Sequence, residues 1–199
     1  FAPSFTFSTF AFATSPSLPI TTTSGLVGFN GVTHKDQRDS NGGNQFSVEP
    51  PNQAIAVANG YILEGVNSAV RVFSISGTPL IETISSNQVF AVPPAINRTT
   101  GAFGVNGTDM RIYYDHTIAR WFIVQRAQDF STSGTPLASS KLYVAVSQTS
   151  DPTQFYNVYT INTTNPVSPC PCIADYPQIG SDQYGIYIAA NEYQAPVPG

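Results

Sequence analysis

The chain has 199 residues, 41% hydrophobic and only 10% charged, with a formal net charge of −4. Soluble domains ordinarily carry roughly 25% charged residues; here Ser, Thr, Asn and Gln take their place, a neutral polar surface that points to an exported protein, extracellular or on the cell surface. Eight Lys and Arg with no basic cluster argue against nucleic acid as a partner, and no run approaches the ~18 apolar residues of a membrane-spanning helix.

Residues 1–27 read as an extended arm rich in Phe, Ser and Thr, with no charged side chain. Phe1, Phe5, Phe7, Phe10 and Phe12 lie in it, and the pairs Phe5/Phe7 and Phe10/Phe12 have strand spacing. Pro3, Pro16 and Pro19 interrupt any long regular element. Such aromatic surface without gatekeeping charge needs cover. The arm either packs along its own domain, adds a strand to a neighbouring subunit as an assembly device, or is a partly processed leader. A first residue other than Met fits removal of a signal segment.

Residues 28–53 read as a loop rich in Gly, Asn and Asp. Asp36, Asp39, Asn41 and Asn44 are closely spaced oxygen donors of the kind calcium accepts, although the EF-hand order is absent. A solvated, hydrogen-bonded loop would use the same residues.

A recurring hairpin follows. Residues 52–67 (NQAIAVANGYILEGVN) are a strand, an Asn59-Gly60 turn and a strand; Asn-Gly between apolar runs is a strong hairpin signal, because both turn positions need positive φ. Residues 69–75 alternate around Arg71, Ser76-Gly77 turns the chain, and 80–84 return. After a connector over 86–108, residues 109–125 (DMRIYYDHTIARWFIVQ) form the second hairpin, with Asp115 opening the turn. Residues 142–146 and 155–161 are its outer strands. A Pro/Thr/Asn connector over 162–173 leads to the third hairpin, 175–191 (DYPQIGSDQYGIYIAAN). The units open on Asn52, Asp109 and Asp175 and close on Asn67, Gln125 and Asn191. A hairpin recurring at intervals long enough for two more strands defines an all-β fold, a β-propeller-type repeat of antiparallel blades over 28–199. The chain holds about two and a half such blades, whereas closed propellers have 4–8. It is therefore expected to be part of a larger propeller or to be completed by another chain.

The text GFNGVTHKDQR (28–38), NQFSVEPPNQ (44–53), PPAINRTTG (93–101), YYDHTIARWF (113–122), SQTSDPT (147–153), PCIADYPQIG (171–180) and NEY (191–193) resembles a family of secreted, mostly bacterial, β-propeller-like proteins of unassigned function. The resemblance covers most of the chain and implies a secreted repeat protein with more blades towards the C-terminus. It supplies no catalytic residues. Asn52 stands where the family pattern has Asp, Met110 where it has Pro, and the cysteines are closer together than in the family.

Catalytic motifs are scarce: no nucleophile elbow, zincin motif, P-loop or dinucleotide fingerprint occurs. The histidines are His34 and His116, the latter in a turn. If the repeat starts line a central channel, Asp109, Asp175 and Glu64 approach a common axis, where paired carboxylates would serve a glycosidase or lyase. Asp109 and Asp175, with Asn52, Asn67, Gln125 and Asn191, are candidate ligand-binding residues, for carbohydrate or calcium. The plainer role of an Asp at a strand start is to bond loop N–H groups and hold sheet to sheet. Trp121, in mid-strand, reads as core rather than as a sugar platform. Cys170 and Cys172 are disulfide candidates, paired locally or with another segment or chain; two ligands alone make a poor metal site. Asn97, Asn106 and Asn162 are in glycosylation sequons. The sequence thus favours a non-enzymatic, exported scaffold that assembles with other subunits through the arm or open blade edges. A carbohydrate- or calcium-binding module and a propeller glycosidase or lyase are the alternatives.

Overall fold

The computed structural model describes residues 28–165 and 172–195. The arm with its five phenylalanines lies outside the described residues, as does Cys170.

The chain first makes a short helix, α1 (His34–Asp39), and a 3-10 turn, Ser40–Gly43. This corrects the loop expected over 28–53. Thr33 caps the Asp36 N–H and Asp36 bonds back to the Thr33 N–H, a reciprocal capping box that starts the helix.

Three antiparallel sheets follow, so the all-β expectation holds. The first is β1 (Gln53–Ala58), β2 (Tyr61–Val66), β3 (Ala69–Ser74) and β4 (Ile84–Ser85), paired in chain order. Asn59 and Gly60 turn β1 into β2 with φ of 51° and 81°, the left-handed geometry that two-residue hairpins require. A short helix, α2 (Ser86–Val89), continues from β4, capped by Ser85 and Gln88. The second sheet is β5 (Asn106–Asp115), β6 (Arg120–Phe130), β7 (Pro136–Ser147) and β8 (Tyr156–Asn162), again in chain order. Its β6–β7 hairpin runs well past the strands read from the sequence. The third is the hairpin of β9 (Cys172–Asp182) and β10 (Gly185–Gln194).

The sheets pack face to face in sequence order, with β1 against β5 and β5 against β9. Leu63, Val70 and Val72 of the first sheet meet Met110, Trp121 and Ile123 of the second. Phe122, Val124 and Val144 face the other way, onto Ile179 and Ile188 of the third sheet. Consecutive residues Trp121 to Val124 are therefore all buried, as expected of a strand covered on both faces. Gly65 makes the first interface close: the side chains of Met110 and Ile112 occupy the space a β-carbon would need. Among the described residues no sheet closes on itself, and no helix is long and apolar enough to cross a membrane.

Candidate functional site

The starts of the three inner hairpins converge on one polar network. Asn52, Asn67, Asp109 and Tyr176 all have left-handed φ, of 39°, 42°, 56° and 50°. Asn and Asp tolerate this geometry better than other residues with a side chain. At Asp109 the ladder skips between Thr108 and Arg111, so Asp109 and Met110 together face Gln125. Such a bulge bends the strand and re-aims its side chains. Here it turns the Asp109 carboxylate towards the first sheet.

That carboxylate is fully engaged. Its Oδ1 accepts from Asn52 Nδ2 at 2.6 Å and its Oδ2 from Thr108 Oγ1 at 2.8 Å. The Asp109 N–H donates to Asn67 Oδ1 at 3.3 Å, while Asn67 Nδ2 donates to the carbonyls of Val48 and Pro50. Gln125 Nε2 donates to the Asn67 carbonyl; Gly107 leaves room for the Gln125 amide, which sits where a β-carbon would be. Asp175 reaches the Asp109 carboxyl from the third sheet and lies 3.9 Å from Arg126 Nε. Arg126 also donates to the Ala174 carbonyl at 3.3 Å and to Gln128 Oε1 at 2.9 Å. The Arg111 guanidinium stacks on the Tyr176 ring, 4.0 Å from its centroid.

Asn52, Asn67, Asp109, Gln125 and Asp175 are thus brought together, and Asn191 is not. Asn191 lies opposite Asp175 in the ladder but is exposed. Glu64 is also elsewhere: it faces away from the second sheet and its Oε2 accepts from the Val32 N–H at 2.8 Å. Arg126 and Thr108 belong to the network without having been singled out in the sequence. Arg126 follows Gln125 directly, and a scarce cation within an apolar strand was the available signal. A second set of bonds ties the hairpin tips. Asn59 Nδ2 donates to Tyr114 Oη, and Ser181 Oγ donates to Asp115 Oδ2 at 2.6 Å while lying 2.8 Å from Tyr113 Oη.

The electrostatics agree with a bonded clasp. Burial, then the neighbouring Asp109 carboxylate, push the Asp175 carboxyl above its ordinary range, with Arg126 opposing. Asp115 is held below the ordinary range by the Ser181 hydroxyl and by N–H groups of its own turn. A carboxyl whose pKa is raised on folding favours the folded state below its unfolded pKa, and that contribution is lost as pH rises through the folded value. Asp175→Asn keeps a donor towards Asp109 without titrating. Its melting temperature relative to the parent should therefore increase from pH 4 to pH 8. A difference that stays constant across that range would show that the two carboxyls do not interact. Asp115 and the other carboxylates of lowered pKa oppose the trend in both proteins and cancel in the comparison.

The remaining candidates are scattered. Asp36 and Asp39 border a polar pocket of 230 Å3 together with Ser40, Arg71, Glu82 and Thr83. Asn44 Oδ1 accepts from the Arg98 N–H at 2.9 Å, and Asn41 sits in the 3-10 turn. Among the described residues, no three His, Cys, Asp or Glu side chains converge as a metal would require. Cys172 is disulfide-bonded. Asn97 and Asn162 are exposed, each folded into a local turn through its own Oδ1. Asn106 lies within β5, and its Oδ1 is buried without a partner. His116 is exposed, at the edge of the Tyr114 ring.

The chain is thus an all-β protein of stacked antiparallel sheets, sewn together by polar bonds at both ends of the inner strands. No protein family, curated protein or solved structure matches it.

Proposed function

We propose that the sheets are successive blades of a β-propeller-type repeat, and that the protein is an exported, non-enzymatic scaffold that assembles with other subunits. The carrying observation is the fate of the repeat-start residues. Both oxygens of Asp109 are taken by Asn52 and Thr108, and Asp109 is only 8% exposed. Groups committed to each other join blade to blade, and offer little to a substrate that must reach a free carboxylate. The low charge of the chain and its resemblance to secreted propeller-like proteins point the same way.

The assembly surface in this reading is the β1 side of the first sheet's outer face, since towards β3 that face is covered by Phe29 and Val32. Ile55 and Val57 are 62% and 52% exposed on β1, where the next blade of a ring would pack. At the far end, Tyr187 is 56% exposed on β10. Sedimentation of the full chain should show concentration-dependent association that Ile55→Lys with Val57→Lys abolishes. A parent chain that stays monomeric at every concentration would overturn the assembly reading.

A binding-module reading has one observation in its favour, the 230 Å3 pocket of Asp36, Asp39, Arg71 and Glu82. Its mixed charge suits the hydroxyls of a sugar better than a calcium ion, since Arg71 would repel the cation. Glycan binding lost on Arg71→Ala would support it.

A further inference from the structure

We infer that the Phe-rich arm of this chain docks in cis, seating aromatic rings in an apolar cleft between the outer strands of the first two sheets. The cleft has a volume of 270 Å3. Val72 of β3 and Ile81 and Ile84 from the β4 side form one wall; Ile123 forms its floor, and Phe155 and Tyr156 at the start of β8 form the other wall. Phe155 is 77% exposed at the rim. Apolar walls of this kind gain free energy when water is displaced by an apolar group.

Three observations select the arm as occupant. Its chemistry fits: residues 1–27 contain Phe1, Phe5, Phe7, Phe10 and Phe12 and no charge that would have to enter the cleft. Its point of attachment is close by, on the other face of the same sheet. The described chain starts at Gly28, and the Phe29 ring lies 5.1 Å from the ring of Phe73 on β3, against Gly77 in the turn from β3 towards β4. The arm therefore starts on the face of the first sheet opposite to the Val70 and Val72 side chains that line the cleft, and reaches the cleft by passing around the β4 edge of that sheet. Its length also suffices, since an extended chain spans roughly 3.3 Å per residue, and half of the arm already exceeds the width of a four-stranded sheet. A short tether holds such a segment at an effective concentration of the order of millimolar, so the arm of the same molecule outcompetes that of a second copy. β8, the edge strand beside the cleft, offers backbone groups to an extended segment, and its sequence YNVYTIN carries no charge to repel one. The inference stands independently of the scaffold reading.

The test places a photoreactive benzoylphenylalanine at position 155 of the full chain, where exposure makes the change harmless to the fold. Irradiation of mixed isotopically light and heavy chains should give cross-links from position 155 to residues 1–27 within one isotope class. Cross-links joining light to heavy chains would mean an exchanged arm and overturn docking in cis. Cross-links that miss residues 1–27 altogether would overturn the inference outright. Changing Phe5, Phe7, Phe10 and Phe12 to Ser in the full chain should abolish the arm cross-links and speed amide exchange over 81–89 and 152–156. Unchanged cross-linking and exchange in that variant would equally sink it.

Discussion

Asn67→Ala should destabilise the protein by about 3 kcal/mol, a large part of the 5–15 kcal/mol typical of a folded domain. Asn67 is fully buried. Its side chain accepts from the Asp109 N–H and donates to the carbonyls of Val48 and Pro50. Removing it strands a buried donor, at a cost of about 1–3 kcal/mol. The two carbonyls regain water more easily, because their surroundings are only part-buried. The backbone adds a further term. Asn67 has φ of 42°, where Ala is less comfortable than Asn by about 1 kcal/mol. Asn67→Gly removes the same bonds without that strain, so it should be less damaging than Ala. Urea unfolding of the three proteins checks both statements. Equal stability of the Ala variant and the parent would mean that the clasp joining the first two sheets carries no load.

Trp121→Ala should cost about 3–5 kcal/mol, the usual range for deleting a large buried aromatic side chain. Trp121 is 0% exposed and lies in the core between the first two sheets. Its ring packs 4.7 Å from that of Tyr114, directly across the β5–β6 pair, and Nε1 donates to the Ser150 carbonyl at 2.8 Å. The substitution therefore opens a cavity and orphans a carbonyl in the loop that leads to β8. Trp121→Phe keeps an aromatic ring but not the donor, and should cost about 1–2 kcal/mol. Thermal unfolding of both variants gives the comparison. A small loss in the Ala variant would contradict the packing of these sheets. The position also argues against Trp121 as a sugar platform, since no face of its ring meets solvent.

The hairpins were legible because their signals are local. Asn59-Gly60 can hardly be read as anything but a tight turn, and the alternation around Arg71 marks a strand, although the Arg71 face is covered too, with Ala69 and Phe73 buried. The capping box at Thr33 and Asp36 is equally local, but it lies in a segment whose Gly, Asn and Asp content reads as loop. The length of the β6–β7 hairpin was hidden for another reason. Gln128, Asp129, Ser139 and Ser140 look like loop residues, but Asp129 is paired with Lys141 at 2.6 Å and Ser139 at 2.8 Å across the ladder. Polar residues satisfied by their cross-strand partners need no loop.

The network at the strand starts divides differently. Sequence alone determined that Asn or Asp opens each hairpin and Asn or Gln closes it, because the demands of a strand start are met by residue type. It could not determine who bonds to whom. Asn52 and Asp109 are 57 residues apart, and only the packing of β1 against β5 makes them neighbours. Nor could it distinguish the third unit from the other two. There the left-handed residue is Tyr176 rather than Asp175, and the ladder shifts between Asn191 and Ala189. Side chains alternate along a strand with a period of two, so a one-residue irregularity reverses which of them face inward. Asn191 is the ladder partner of Asp175 and shifts with it; Asp175 joins the clasp because β9 packs against β5, whereas Asn191 sits on the outer strand β10. The hairpins of this protein are properties of its local sequence, and the clasp that joins them is a property of register and sheet packing.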